Sequence, residues 1–222
     1  MTPYQDGPGS PEIRHNAEST RRRLLRAGLE LFTSRGYRGT TTPALARRAG
    51  LAEGTLYRHF RGKQELYNEA FRATQGWASD LVAELDRAPP GAGSPGTRAR
   101  LERLARRLVE SATRDPAAVR MLLARPPEGL LDDASHEAAA AFGSAVEEIV
   151  AQGKADGTVR AGPADLWASV WLEVIGLALH RIARRDWLPD QAPVGQVIEA
   201  GWSAIAASAP PPDRACGGGG GG

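Results

Sequence analysis

The sequence predicts an all-α fold, and three observations carry that prediction. Apolar residues recur at helical spacing along most of the chain. No stretch of any length alternates apolar and polar residues as a strand would. Clusters of Gly and Pro separate the helical stretches. Counting those stretches gives about nine helices. They divide into an N-terminal three-helix domain containing a helix-turn-helix and a C-terminal helical domain.

The elements follow in order. Residues 1–19 are rich in Gly and Pro and poor in apolar side chains, which predicts a flexible arm. From Thr20 a helix is marked by Leu24, Leu25, Leu29, Leu31 and Phe32, and Gly36 is placed to end it in a left-handed cap. Thr42 before Pro43 reads as a helix start, because a hydroxyl can cap and Pro needs no amide at the first helical position. That helix stops at Gly50. A second short helix covers GTLYRHF. A long helix then runs from Gly62 to about Arg87, with Glu65 as a capping carboxylate and Gly76 as a site for a kink. Ala88 to Gly96 is a Pro/Gly loop. Further helices are predicted over Thr97–Thr113, Asp115–Ala124, His136–Ala155, Pro163–Arg185 and Pro193–Ser208. The segment 209–222 ends in a glycine run and reads as a disordered tail. The domains expected are therefore 20–72 and 73–208, between the arm and the tail.

Composition narrows the function. The chain has 222 residues, 41% apolar and 24% charged, which is enough apolar content for a substantial core. The lone Cys216 excludes a disulfide framework and a cysteine-based zinc site. No run of about 18 apolar residues is present, and the N-terminal segment has no apolar core, so a cytoplasmic protein without membrane span or secretory signal is expected. An enzyme is not expected. His15, His59, His136 and His180 are scattered, no metal-ligand spacing occurs, and no glycine-rich phosphate loop follows a strand. No cofactor is called for. Charge is uneven: through Arg72 there are 13 Lys/Arg against 7 Asp/Glu, and the remainder has 15 against 19. A basic first third on an acidic body suggests a polyanion-binding module attached to something else.

The segment Thr40 to Lys63, TTTPALARRAGLAEGTLYRHFRGK, concentrates that signal. Two short helices joined at Gly50 make a helix-turn-helix. Leu45, Ala49, Leu51 and Leu56 fall on the inward faces, and small Ala46 allows the helices to approach. Thr55, Tyr57, Arg58 and His59 then project outward as donors suited to phosphates and base edges. Lys63 adds a cation at the start of the next helix.

From about Arg22 to Phe71 the chain resembles the TetR family of bacterial transcriptional regulators. The resemblance rests on Leu31-Phe32, Gly36-Tyr37, Thr41-Thr42, Ala49-Gly50, Gly54-Thr55-Leu56-Tyr57, Phe60, and Lys63 with Leu66, all in register. It implies a homodimer that binds a palindromic double-stranded DNA operator, commonly as a repressor, and that a small-molecule effector releases. By position it implies phosphate contacts at Thr42, Tyr57 and Lys63 and groove-facing positions at Gly54, Thr55, Arg58 and His59. Three departures stand out. Ala52 replaces a common Ser or Thr, Gly62 replaces a frequent Ser, and Glu53 places a carboxylate beside the expected phosphate path.

The C-terminal half is less specific. Trp167 and Trp171, four residues apart, share a helix face and serve either as core or dimer packing or as walls of a ligand pocket. Glu173 in the apolar run WASVWLEVIGLALHRI is a pocket residue, a dimer-interface residue or an edge residue facing water. The last two helices are apolar over more than one stripe, which predicts a four-helix bundle with a second subunit. A body that is purely structural, giving a ligand-independent regulator or an activator, is the alternative.

Overall fold

The computed structural model describes residues 11–85 and 95–208, with side chains from residue 16 onward. Nine α-helices lie among the described residues: α1 (Pro11–Gly39), α2 (Thr42–Ala49), α3 (Leu56–His59), α4 (Lys63–Leu85), α5 (Thr97–Arg114), α6 (Pro116–Leu122), α7 (Asp133–Ala155), α8 (Ala164–Ala183) and α9 (Ala192–Ile205). A 3-10 turn, Glu53–Thr55, precedes α3. Among the described residues the only β pairing is an isolated bridge between Val159 and Ala206. The all-α expectation therefore holds. The greater part of the Pro/Gly loop, the glycine-rich tail and Cys216 lie outside the described residues.

Several boundaries differ from the sequence reading, each for a local reason. Helix α1 starts at Pro11, inside the stretch read as a flexible arm. Pro is well tolerated in a first turn, and PEIRHNAEST holds no internal Gly or Pro to break the helix. Gly36 breaks α1 near its end with φ 73° and ψ 167°. The cap of α2 is Thr41 rather than Thr42: its hydroxyl accepts from the Ala44 amide at 3.4 Å. Pro43 still sits in the first turn. Helix α4 passes through Gly76 without interruption, and Glu65 reaches back to accept from the Arg61 amide. Helix α7 starts before His136 because Asp132 caps it, accepting from the Ser135 amide at 2.9 Å.

Two apolar cores result, and α4 belongs to both. Its first half contributes Leu66, Tyr67, Ala70 and Phe71 to a core shared with α1, α2 and α3. Its second half contributes Ala78, Val82 and Leu85 to a larger core with α5, α7, α8 and α9. The smaller core is completed from the far side of the chain by Met121 of α6 and Leu130. Polar groups reinforce that junction. The Asn68 amide donates to the Leu130 carbonyl at 3.0 Å and accepts from the Asp132 amide at 2.9 Å, and Arg72 donates to Asp132 at 2.8 Å.

Helix α8 is long and apolar enough, by length and composition, to cross a membrane. Here its inner side is packed against α5, α7 and α9, with Trp171, Ile175, Leu179 and Ile182 in the larger core. Its outer row is bare: Leu166 and Leu177 are 47% and 49% exposed.

Candidate nucleic-acid interface

The helix-turn-helix is held by its backbone as much as by its core. Gly50 adopts φ 65°, ψ 41°, a conformation that side chains resist. The Leu51 amide then reaches the Ala46 carbonyl at 2.9 Å and the Gly50 amide reaches Arg47 at 3.0 Å. This pair of bonds is a Schellman cap, which satisfies carbonyls left open at the end of α2. Arg23 of α1 adds a bond from its guanidinium to the Gly50 carbonyl at 2.9 Å. A Cβ on Gly50 would meet that guanidinium at 2.9 Å, so a side chain there would push Arg23 aside as well as strain the positive φ. Gly28 permits a similar close approach: a Cβ there would lie 3.1 Å from Phe32 and 3.3 Å from Leu66. Arg23 and Gly28 escape a motif reading because their partners are 27 and 38 residues away in sequence.

The element expected to enter a groove is shorter than the sequence suggested. Ala52 makes no side-chain cap, and the chain turns through a 3-10 turn before the single α-turn of α3. A cap would satisfy an amide at that point; without one the tighter i, i+3 bonding takes its place. Leu56 and Phe60 are buried and anchor the element. Tyr57 is 57% exposed, Arg58 and Gly54 are exposed, and Thr55 and His59 are half-buried. Thr55, Arg58 and His59 share one surface with Asn16, Ala17 and Thr20 of α1, and together they line a hollow. Those α1 residues fell in or beside the stretch read as an arm.

The cation expected near phosphate, Lys63, has partners within the protein. Lys63 donates to the Tyr37 carbonyl at 3.0 Å and the Thr40 carbonyl at 2.8 Å, and its ammonium lies 4.2 Å from the Tyr37 ring centre. It therefore ties the α1–α2 connection to α4, with one N–H remaining. Arg21 pairs with Glu69 and stacks over the Phe60 ring at 5.0 Å. Thr42 is half-buried at the start of α2. Tyr37, Phe32 and Tyr67 form an aromatic cluster beneath Lys63, with centroids 5.1 to 6.0 Å apart. Burial pushes the Tyr37 and Tyr67 hydroxyls above the ordinary tyrosine range.

A second feature lies in the larger domain. A cavity of about 850 Å³, open to solvent on one side, lies between α4, α5, α7, α8 and the segment after α6. Its buried walls include Phe71, Gln75, Leu108, Phe142, Ile175 and Leu179. Glu173 lies on its exposed rim, paired with Arg125. Trp167 and Trp171 are not on its walls. Trp171 is buried against Ile175 and Gly201 in the core, and Trp167 donates from its indole to the Ala161 carbonyl at 3.1 Å. The i, i+4 spacing does face both rings to one side, but that side meets α9 and the α7–α8 connection. Gln75 and Arg125 were missed. A polar residue on the buried stripe Phe71–Gln75–Ala78–Val82 was the available signal.

Residues 24–70 match the family described as bacterial regulatory proteins, tetR family. The HTH-type transcriptional regulator SrpR of Pseudomonas putida is 39% identical over 85 residues, covering 32% of this chain and 40% of that protein. AcrR of Shigella flexneri, also an HTH-type transcriptional regulator, is 30% identical over 80 residues, covering 36% and 37%. The HTH-type transcriptional repressor KstR2 of Rhodococcus jostii is 30% identical over 131 residues, covering 59% and 52%. The match thus spans about two fifths of the length of the first two relatives. Solved structures extend the likeness in fold alone. A TetR family transcription regulator from Marinobacter aquaeolei superposes with a TM-score of 0.70 at 19% identity, over 88% of this chain and all of that one. FadR from Bacillus subtilis, solved in complex with stearoyl-CoA, gives 0.68 at 17% identity over 83% and 98%. The matched segment, the curated relatives and the solved folds all point to the TetR family of bacterial regulatory proteins.

Proposed function

We propose that this protein is a cytoplasmic, ligand-responsive transcriptional repressor that binds a palindromic DNA operator as a homodimer and is released by a small-molecule effector. One observation carries the DNA reading. Tyr57, Arg58 and His59 stand on a short element anchored by Leu56 and Phe60 and fixed by the Gly50 turn. A rigid element presenting a phenol, a guanidinium and an imidazole fits a major groove, with Tyr57 and Thr42 toward phosphates and Gly54, Thr55, Arg58 and His59 toward base edges.

The dimer reading is supported by the bare outer row of α8, Leu166 and Leu177, beside α9. A second copy placed there would cover apolar surface and set two recognition elements about one DNA turn apart. The effector reading is supported by the cavity, whose volume of about 850 Å³ suits a small organic molecule. It also favours ligand response over a purely structural body.

A gel-shift titration tests the conclusion, using duplexes from the intergenic DNA next to the gene. Binding to an inverted repeat, with a stoichiometry of two chains per site and a steep fall with salt, is the expected result. No retardation of any duplex at low salt would overturn it.

A further inference from the structure

The cavity also indicates what kind of molecule it takes. Gln75 is the polar group of its interior. It is 4% exposed and lines the cavity, and its side-chain amide, without a hydrogen bond to any described residue, stays accessible from the cavity rather than sealed in the core. Its own backbone carbonyl, by contrast, accepts from the Ser79 hydroxyl at 3.1 Å. An amide that faces the cavity with its donors and acceptor uncommitted to the protein is free to bond a ligand's oxygen.

The charges are arranged differently. The ionisable side chains lining the cavity are Arg125, Glu173 and His180, and all three are exposed. Arg125 is already paired with Glu173. The interior walls are aliphatic and aromatic. A carboxylate or phosphate carried inside would therefore lose its water without meeting a cation, and the penalty for that is large.

We propose that the ligand is an uncharged, mostly apolar molecule with one hydrogen-bonding oxygen, a carbonyl or hydroxyl, and that Gln75 is its interior hydrogen-bond partner. The inference rests on reading the cavity as the effector site. It places the ligand's polar atom on α4, where that helix passes from one core to the other.

Three probes of matched shape test it: 4-phenylbutan-2-one, butylbenzene and 4-phenylbutanoate, each titrated calorimetrically into the full-length protein. The ketone is expected to bind at least tenfold more tightly than the carboxylate at neutral pH. Gln75→Met, which keeps an unbranched side chain of similar size, is expected to weaken the ketone and strengthen the hydrocarbon. The ratio of the two affinities should shift about tenfold, the scale of one hydrogen bond. An unchanged ratio, a carboxylate that binds wild type as tightly as the ketone, or no binding by any probe overturns the proposal. The wild-type comparison stands even if the variant fails to fold. Gln75-dependent ketone binding by a protein that ignores duplex DNA would sink the regulator reading and keep this one. DNA binding without ketone uptake would do the reverse.

Discussion

Tyr57 and Arg58 are neighbours with different expected roles, and mutation separates them. Arg58→Ala is expected to weaken the preferred operator by about 1–3 kcal/mol and to relax sequence preference, because a base contact carries specificity. Tyr57→Ala should weaken all duplexes by similar factors, since a phosphate contact positions without reading sequence. Competition gel shifts against a scrambled site give both numbers. Lys63 behaves differently again. Two of its three N–H groups hold the Tyr37 and Thr40 carbonyls. Lys63→Met is expected to lower the thermal midpoint while leaving the slope of log affinity against log salt unchanged. A slope reduced by about 1 would instead assign the ammonium to a phosphate.

At the scale of elements, the junction between the two cores depends on Asp132. Its carboxylate caps α7 and binds Arg72. The hydrogen bond with Ser135, followed by that from Arg72, holds its carboxyl below the usual aspartate range. A depressed pKa in the folded state means that the contribution is present above the unfolded value of about 3.9 and is lost as pH falls through the folded one. Asp132→Ala should therefore lower the thermal midpoint by about 2–4 °C at neutral pH. The gap should narrow as pH falls below the ordinary aspartate range, and a gap that does not change with pH would contradict the capping account. A second link joins α6 to the helix-turn-helix. Asp115 caps α6 and pairs with Arg26, which bonds Glu30 at 2.8 Å, and Glu30 pairs with Arg48 of α2. These ion pairs are partly exposed, so their worth lies in alignment rather than stability.

For the whole molecule, the outer row of α8 decides whether two recognition elements act together. Leu166→Lys is expected to shift the protein toward monomer in sedimentation velocity and to reduce operator affinity steeply. Its effect on the melting of the single chain should be small, because Leu166 is half-exposed there. A dimer that survives the change would move the interface elsewhere. Helix α4 gives the assembly its lever. It carries Leu66 and Phe71 in one core, Gln75 at the cavity, and Val82 and Leu85 in the other core. A ligand held by Gln75 can bias the spacing of the recognition elements only as far as it prefers one placement of α4 over another.

The helical class, the order of the elements and the helix-turn-helix were all legible in the amino-acid order. Those features rest on local rules: helical periodicity of Leu and Phe, a left-handed Gly50, Pro in the first turns of α2, α6 and α9. The amino-acid order also placed Leu45 and Leu56 inside and Tyr57 outside, because one helix face follows from spacing. Which cations were already occupied, Lys63 and Arg21 among them, emerged from the packing alone, since their partners lie 23 to 48 residues away. Packing also moved Trp171 into the core and Gln75 to the cavity, although both lie on apolar stripes. Spacing fixes the face of a helix on which a residue lies. What that face meets depends on how distant helices pack, and that depends on the shapes of all of them at once.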